Sequence, residues 1–353
     1  MARFATTQIV SATTGSLAKD ITFPSGAKDT ISAVRFSPVS HHLAAASWDG
    51  NVYIYDAANS SSIKGVAMVE GQSPVLDCHF SKDGAMVASA GADKKIHVYD
   101  IASGQRMDFD GHEGPVRCLR FVDVPSANGL IIASGSWDKT VMYWDLRQPQ
   151  SIATLQCDER VYSMDSAGAL LAIAIAGCKV HLVDLRTNPG VHSQTLDSPL
   201  THQTRSVAVS PDGSRWAIGG VEGRAGVRVL AEQDNKLNIT WRCHRDAPVT
   251  TTGKNKEVKV FAVNDVTFHP INNNLLATAG SDGTFTFWDI KSQSRVKQFP
   301  NVGGSITSVA FNHNASAFAY AVGYDWSKGY LHNSPDYPTK LMLHTVSPDE
   351  LRK

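Results

Sequence analysis

The stretch Gly111-His112-Glu113-Gly114-Pro115-Val116-Arg117-Cys118-Leu119, with Ala133-Ser134-Gly135-Ser136-Trp137-Asp138-Lys139-Thr140-Val141-Met142-Tyr143-Trp144-Asp145 after it, decides the fold. It reads as an apolar run, a small-residue run, a turn built on an aspartate, and a second run closing on aromatic-Asp. The closing aspartate recurs at Asp56, Asp100, Asp145, Asp184 and Asp289, with steps of 44, 45, 39 and 105 residues. The long step has room for two units, one enlarged. Its hidden member is Arg205–Leu230, which ends Gly226-Val227-Arg228-Val229-Leu230 and lacks Trp-Asp. A last unit runs from Ser305 to about Thr345. The units are then about 29–56, 74–100, 115–145, 158–184, 205–230, 262–289 and 305–345.

A repeat of roughly 40–45 residues ending in this way is the mark of a WD-repeat β-propeller. The sequence therefore predicts an all-β, seven-bladed propeller, a single domain over residues 1–353. Asp49-Gly50, Asp83-Gly84 and Asp212-Gly213 are hairpin signals between β-rich runs. Val52-Tyr53-Ile54-Tyr55 and Phe285-Thr286-Phe287-Trp288 suit strands with a buried face. His112, Ser134 (or Ser136), Asp138 and Trp144 match a polar tetrad that pins a blade by hydrogen bonds. Pairing the chain ends would close the ring and remove exposed edges. Thr6–Val10, or else Asp20–Phe23, is expected to supply that outer strand, leaving a C-terminal tail at about 330–353.

The chain is 42% hydrophobic, ample for a large core, and its 33 basic and 33 acidic residues cancel. Zero net charge argues against a dedicated nucleic-acid coater, though not against a local basic patch. Five scattered cysteines, several in strand-like runs, read as small buried hydrophobes in a reducing compartment. No cysteine or histidine spacing suggests a metal site, and no cofactor is implied. No long apolar run or signal-peptide pattern is present, so no membrane insertion is expected and the protein should be nuclear or cytoplasmic.

No enzyme is legible. Cys243-His244 is adjacent in sequence, so along a strand the two side chains diverge, and no third group orients them. Gly219-Gly220-Val221-Glu222-Gly223-Arg224 is glycine-rich but opens no helix, so a phosphate cradle fails. Its glycines are expected to serve a tight turn.

Several segments go beyond the generic repeat. They are Ser198-Pro199-Leu200-Thr201-His202-Gln203-Thr204-Arg205, Val221-Glu222-Gly223-Arg224, Cys243-His244-Arg245 and Phe261 to Pro270. These resemble two sister families, the messenger-RNA export factors of the nuclear pore (Rae/Gle type) and the Bub-type mitotic-checkpoint propellers. Tyr324-Asp325-Trp326-Ser327-Lys328-Gly329 and Asn333-Ser334-Pro335-Asp336-Tyr337-Pro338 look like the export factors. Ala46-Ser47-Trp48-Asp49 looks as much Bub-type, which keeps a checkpoint adaptor open as the alternative.

The resemblance implies a partner: the GLEBS peptide of a Phe-Gly nucleoporin, gripped by one propeller as a monomer in a heterodimeric complex. The nucleus and the nuclear envelope at the pore, with some cytoplasmic protein, are the implied locations. A GLEBS peptide carries paired acids and calls for a buried cation. Arg224 is the first candidate, because a planar fork holds a carboxylate bidentately. Trp48 is a candidate apolar anchor and Arg205 a further cation. Trp241, Lys254, Lys256, Lys259, Trp288, Arg295 and Lys297 form a candidate second patch, for single-stranded RNA or an acidic peptide.

Overall fold

The computed structural model describes residues 14–24, 26–246, 249–250 and 256–352; for 249, 250 and 256 it describes the backbone alone. Thr6–Val10 and Lys254 lie outside the described residues. Seven four-stranded antiparallel sheets form seven blades. The innermost strands are Ile31–Phe36, Val75–Phe80, Val116–Val122, Val161–Ala167, Thr204–Val209, Val263–Phe268 and Ile306–Phe311. Each touches the next, and the seventh touches the first, so the ring closes around a central channel.

Binary pattern explains the layering. Second strands such as Leu170–Ile175 are buried throughout, inner strands such as Val161–Ala167 mix buried and half-buried positions, and outer strands such as Lys64–Val69 alternate or are exposed. The core is distributed as seven apolar clusters, one in each seam between neighbouring blades. The seam of blades three and four, for example, joins Cys118, Val141 and Tyr143 to Val161, Met164 and Ile173. Because the blades approach closely, a Cβ on Gly135 would lie 2.7 Å from Val161 Cγ1.

In blade seven the fourth strand is Ile21–Thr22, which pairs with Lys340–Thr345 (Ile21 opposite Leu343, Thr22 opposite Met342). The stretch 330–353 is accordingly not a tail. Lys340–Thr345 is the third strand of the blade, set against Ala317–Val322, and the loop between them is enlarged. Asp20 fastens this closure. Tyr320 donates its hydroxyl to Asp20 Oδ2 at 2.7 Å, and His344 Nδ1 lies 2.7 Å from Oδ1.

In blade three, Trp144 donates to Ser134 Oγ (2.8 Å), which lies 2.8 Å from His112 Nε2, and His112 Nδ1 reaches Asp138 at 2.8 Å. Burial alone would raise the Asp138 carboxyl, but bonds from His112 and Thr140 hold it well below the ordinary range. Blade six carries a second such chain. Trp288 donates to Thr278 Oγ1 (2.9 Å), His244 Nε2 lies 2.9 Å from that hydroxyl, and His244 Nδ1 is 2.8 Å from Asp282.

Candidate functional site

The turns between second and third strands lie on one face of the ring, and blade five displays its cations there. Register sets the row. Thr204 faces Gly220, Gly220 faces Arg224, and Arg224 faces Arg242. Arg205 follows Thr204 on the channel side. Neighbouring strands are about 4.8 Å apart, so guanidiniums recur along a radial line of roughly 14 Å.

Arg224 is only loosely paired. Its Nε is 4.0 Å from Glu222 Oε2, and that buried nitrogen has no hydrogen-bond partner among the described residues. The Glu222 carboxylate is already engaged by Thr201 N (2.8 Å), Thr201 Oγ1 (2.9 Å) and His202 (3.2 Å). Burial would raise this carboxyl, yet the bonds from Thr201 and His202 and the Arg224 charge hold it below the usual value. Arg245 packs behind, donating to Glu222 O (2.6 Å) and Gly223 O (3.1 Å). Its pKa is pushed down by burial and by the charges of Arg242 and Arg224. Arg224 thus stands beside a carboxylate that is already bonded elsewhere, with the charges of Arg242 and Arg245 close by, an arrangement suited to a second acid.

Arg205 donates to Asn264 Oδ1 (3.0 Å) and to Asp325 O (3.2 Å). Asp325 belongs to the enlarged loop of blade seven, which crosses the face toward blade one. There Thr30 donates to Tyr324 O (3.2 Å), and Trp326 stacks on Trp48 with ring centroids 4.3 Å apart. Trp48 is therefore half of a partly buried two-indole surface rather than an isolated anchor. The loop brings Arg205 and that surface together.

The match of chain to known proteins is nearly end to end. The family model for the WD domain, G-beta repeat, matches residues 19–56, 64–100, 104–145 and 236–289. The chain is 43% identical to the mRNA export factor GLE2 of Chaetomium thermophilum over 98% of its length and 96% of that protein's. It is 43% identical to the Poly(A)+ RNA export protein of Schizosaccharomyces pombe, over 99% and 96%. The chain belongs to the Rae/Gle-type family of WD-repeat mRNA export factors. It is also 46% identical to the WD40 repeat protein poxJ of Penicillium oxalicum, over 96% of both chains.

In this export-factor propeller the second patch does not assemble as expected. Trp241 and Trp288 are 3% and 6% exposed and pack together in the seam of blades five and six, ring centroids 5.5 Å apart. Neither face is open to a base, so base stacking on them is ruled out. Trp288 instead closes the blade-six tetrad. Lys259 is exposed beside the extra hairpin of Val249–Thr250 and Lys256–Glu257, whereas Arg295 and Lys297 sit on the outer strand of blade six. The Lys256 side chain is among those not described.

The enzyme temptations resolve as structure. Cys243 is buried, and burial with the Asp282 charge pushes its thiol up, away from the nucleophilic thiolate. His244 is held in its tetrad. Gly219 is needed because a Cβ there would lie 2.7 Å from Val263 Cγ1 of blade six. Arg242 and Arg245 complete the blade-five cluster. Arg245 stood in a quoted segment, but only strand pairing places Arg242 beside Arg224.

Proposed function

We propose that this export-factor propeller is an adaptor that grips a GLEBS-type acidic segment of a Phe-Gly nucleoporin across the loop face of blade five. Through that grip it takes part in mRNA export at the nuclear pore, one propeller per segment. The observation that carries the reading is the row Arg205, Arg224 and Arg242, in which Arg224 keeps a buried, unbonded Nε beside an already occupied Glu222. Two acids entering that row gain charge-assisted, bidentate bonds, and Trp48 with Trp326 offers apolar surface at the far end of the same track. The names of the relatives support the setting in mRNA export. With Trp241 and Trp288 buried, Lys259, Arg295 and Lys297 offer a nucleic acid phosphate attraction without base stacking on those indoles.

A pull-down from nuclear extract with wild-type and Arg224→Glu protein, read by mass spectrometry, tests this. A Phe-Gly nucleoporin recovered by the wild type and lost with the variant is expected. Recovery of mitotic checkpoint kinases instead would favour the Bub-type adaptor. Equal recovery by both proteins would overturn the assignment of the face.

A further inference from the structure

Every blade carries a β-bulge at the same place. The pairing of first and second strands skips one residue: Ser32 between Ile31 and Ala33, Arg117 between Val116 and Cys118, Tyr162 between Val161 and Ser163, and Arg205 between Thr204 and Ser206. Leu76, Asn264 and Thr307 are the equivalents in blades two, six and seven. Bulges re-aim side chains. Here the re-aimed residues form a collar at the mouth of the channel, on the face that carries the loops.

The polar members bond around the collar. Arg205 donates to Asn264, Asn264 to Ile306 O (2.9 Å), Thr307 to Ile31 O (2.6 Å) and Ser32 to Val75 O (2.6 Å). Arg117 reaches back to Leu76 O at 3.3 Å. The chain of bonds is broken in one place only among the described residues, between Arg117 and Arg205. Tyr162 stands in that gap, partly buried, and among the described residues no hydrogen bond fixes its hydroxyl.

The gap is cationic. A guanidinium has five N–H donors; among the described residues Arg117 makes one hydrogen bond and Arg205 two, all to neutral acceptors. No collar position holds an acid. The carboxylates nearby are occupied: Asp77 by Arg120 (2.7 Å), and Asp325 by Ser281, by Ser327 N (3.1 Å) and by Asn264 (3.3 Å). Burial and the charge of Arg117 push the Arg205 pKa down, with Asp325 offsetting part.

We propose that Arg117, Tyr162 and Arg205 form an oxyanion receptor at the channel mouth, two guanidiniums and a hydroxyl converging on one phosphate or carboxylate group. Arg205 is shared with the acidic-peptide row. Arg117 belongs to the mouth alone and Arg224 to the peptide row alone, so the two readings fail separately.

The test is isothermal titration of the full chain with sodium pyrophosphate and, separately, with a blocked hexaglutamate peptide, at ionic strength fixed with sodium chloride. Saturable binding of at least one probe is expected. It should weaken at least tenfold in Arg117→Gln, less in Tyr162→Phe, and persist in Arg224→Glu. Pyrophosphate alone would assign the site to a phosphate group, hexaglutamate alone to an acidic side chain. A readout without ligand accompanies it: Arg117→Gln relieves repulsion on Arg205 and should raise Tm. No saturable binding of either probe, binding unchanged by Arg117→Gln, or binding lost only in Arg224→Glu would overturn the receptor.

Discussion

A buried ion cluster fastens the closing strand of the ring, and its pH dependence can be worked out. His344 is 4% exposed, with Asp20 on Nδ1 (2.7 Å) and Glu350 on Nε2 (3.2 Å); Phe285 and Phe299 pack on its ring. Burial opposes the charged form, but the bonds to Asp20 and Glu350 prevail and raise its pKa from 6.5 to about 9. A group whose folded pKa lies above its unfolded one stabilises fully below the unfolded value, and that stability is lost as pH rises through the folded value. At 1.36 kcal/mol per pKa unit the contribution is about 3 kcal/mol, complete below about pH 6.5 and gone above about pH 9. Unfolding entropy of about 2.1 cal/mol/K per residue over this chain makes that about 4 °C in Tm. The assay is calorimetry of wild-type and His344→Gln protein at pH 6.0, 7.5 and 9.5. The gap between the two should be widest at pH 6.0 and nearly closed at pH 9.5. A gap that stays constant, or widens toward alkaline pH, would refute the reasoning.

Other outcomes follow from the packing. Trp144→Ala should cost roughly 3–5 kcal/mol in urea unfolding, because it empties a fully buried site and removes the indole donor to Ser134. Trp288→Ala should destabilise to a similar extent, and Trp288→Phe should leave any RNA affinity unchanged in a filter-binding titration, since that ring is buried in the seam. Asp77→Asn should destabilise the ring by less than the roughly 3–5 kcal/mol of a fully stripped buried charge, because Arg120 loses the carboxylate at 2.7 Å but keeps Asp165 at 2.9 Å, read by denaturant midpoint.

The blades were legible in the sequence where the repeat keeps its spacing. His112 and Asp138 stand 26 residues apart with nothing inserted beyond the blade's own loops, and the tetrad could be named. His244 and Asp282 stand 38 apart because the extra hairpin falls between them, so the same chain of bonds in blade six was hidden. Likewise the loop after Ala317–Val322 is too long to announce a hairpin, which made Lys340–Thr345 look like tail. Trp288 carries the same ambiguity in residue type: an aromatic among lysines suits a stacking platform or a core, and only burial decides. Arg224 was visible in its Glu-Gly-Arg segment. Arg242 was not, because cross-strand register brings it there. The collar of bulged residues has no sequence signature, since its seven members are of six residue types in ordinary strands.

The most direct test of the blade-five grip is a titration of a fluorescent GLEBS peptide against wild-type and Arg224→Glu protein, with Tm measured on both. Loss of binding at nearly unchanged Tm is the predicted result, since among the described residues Arg224 has only a 4.0 Å ion pairing. Binding as tight as wild type, or loss accompanied by a collapse in Tm, would contradict it.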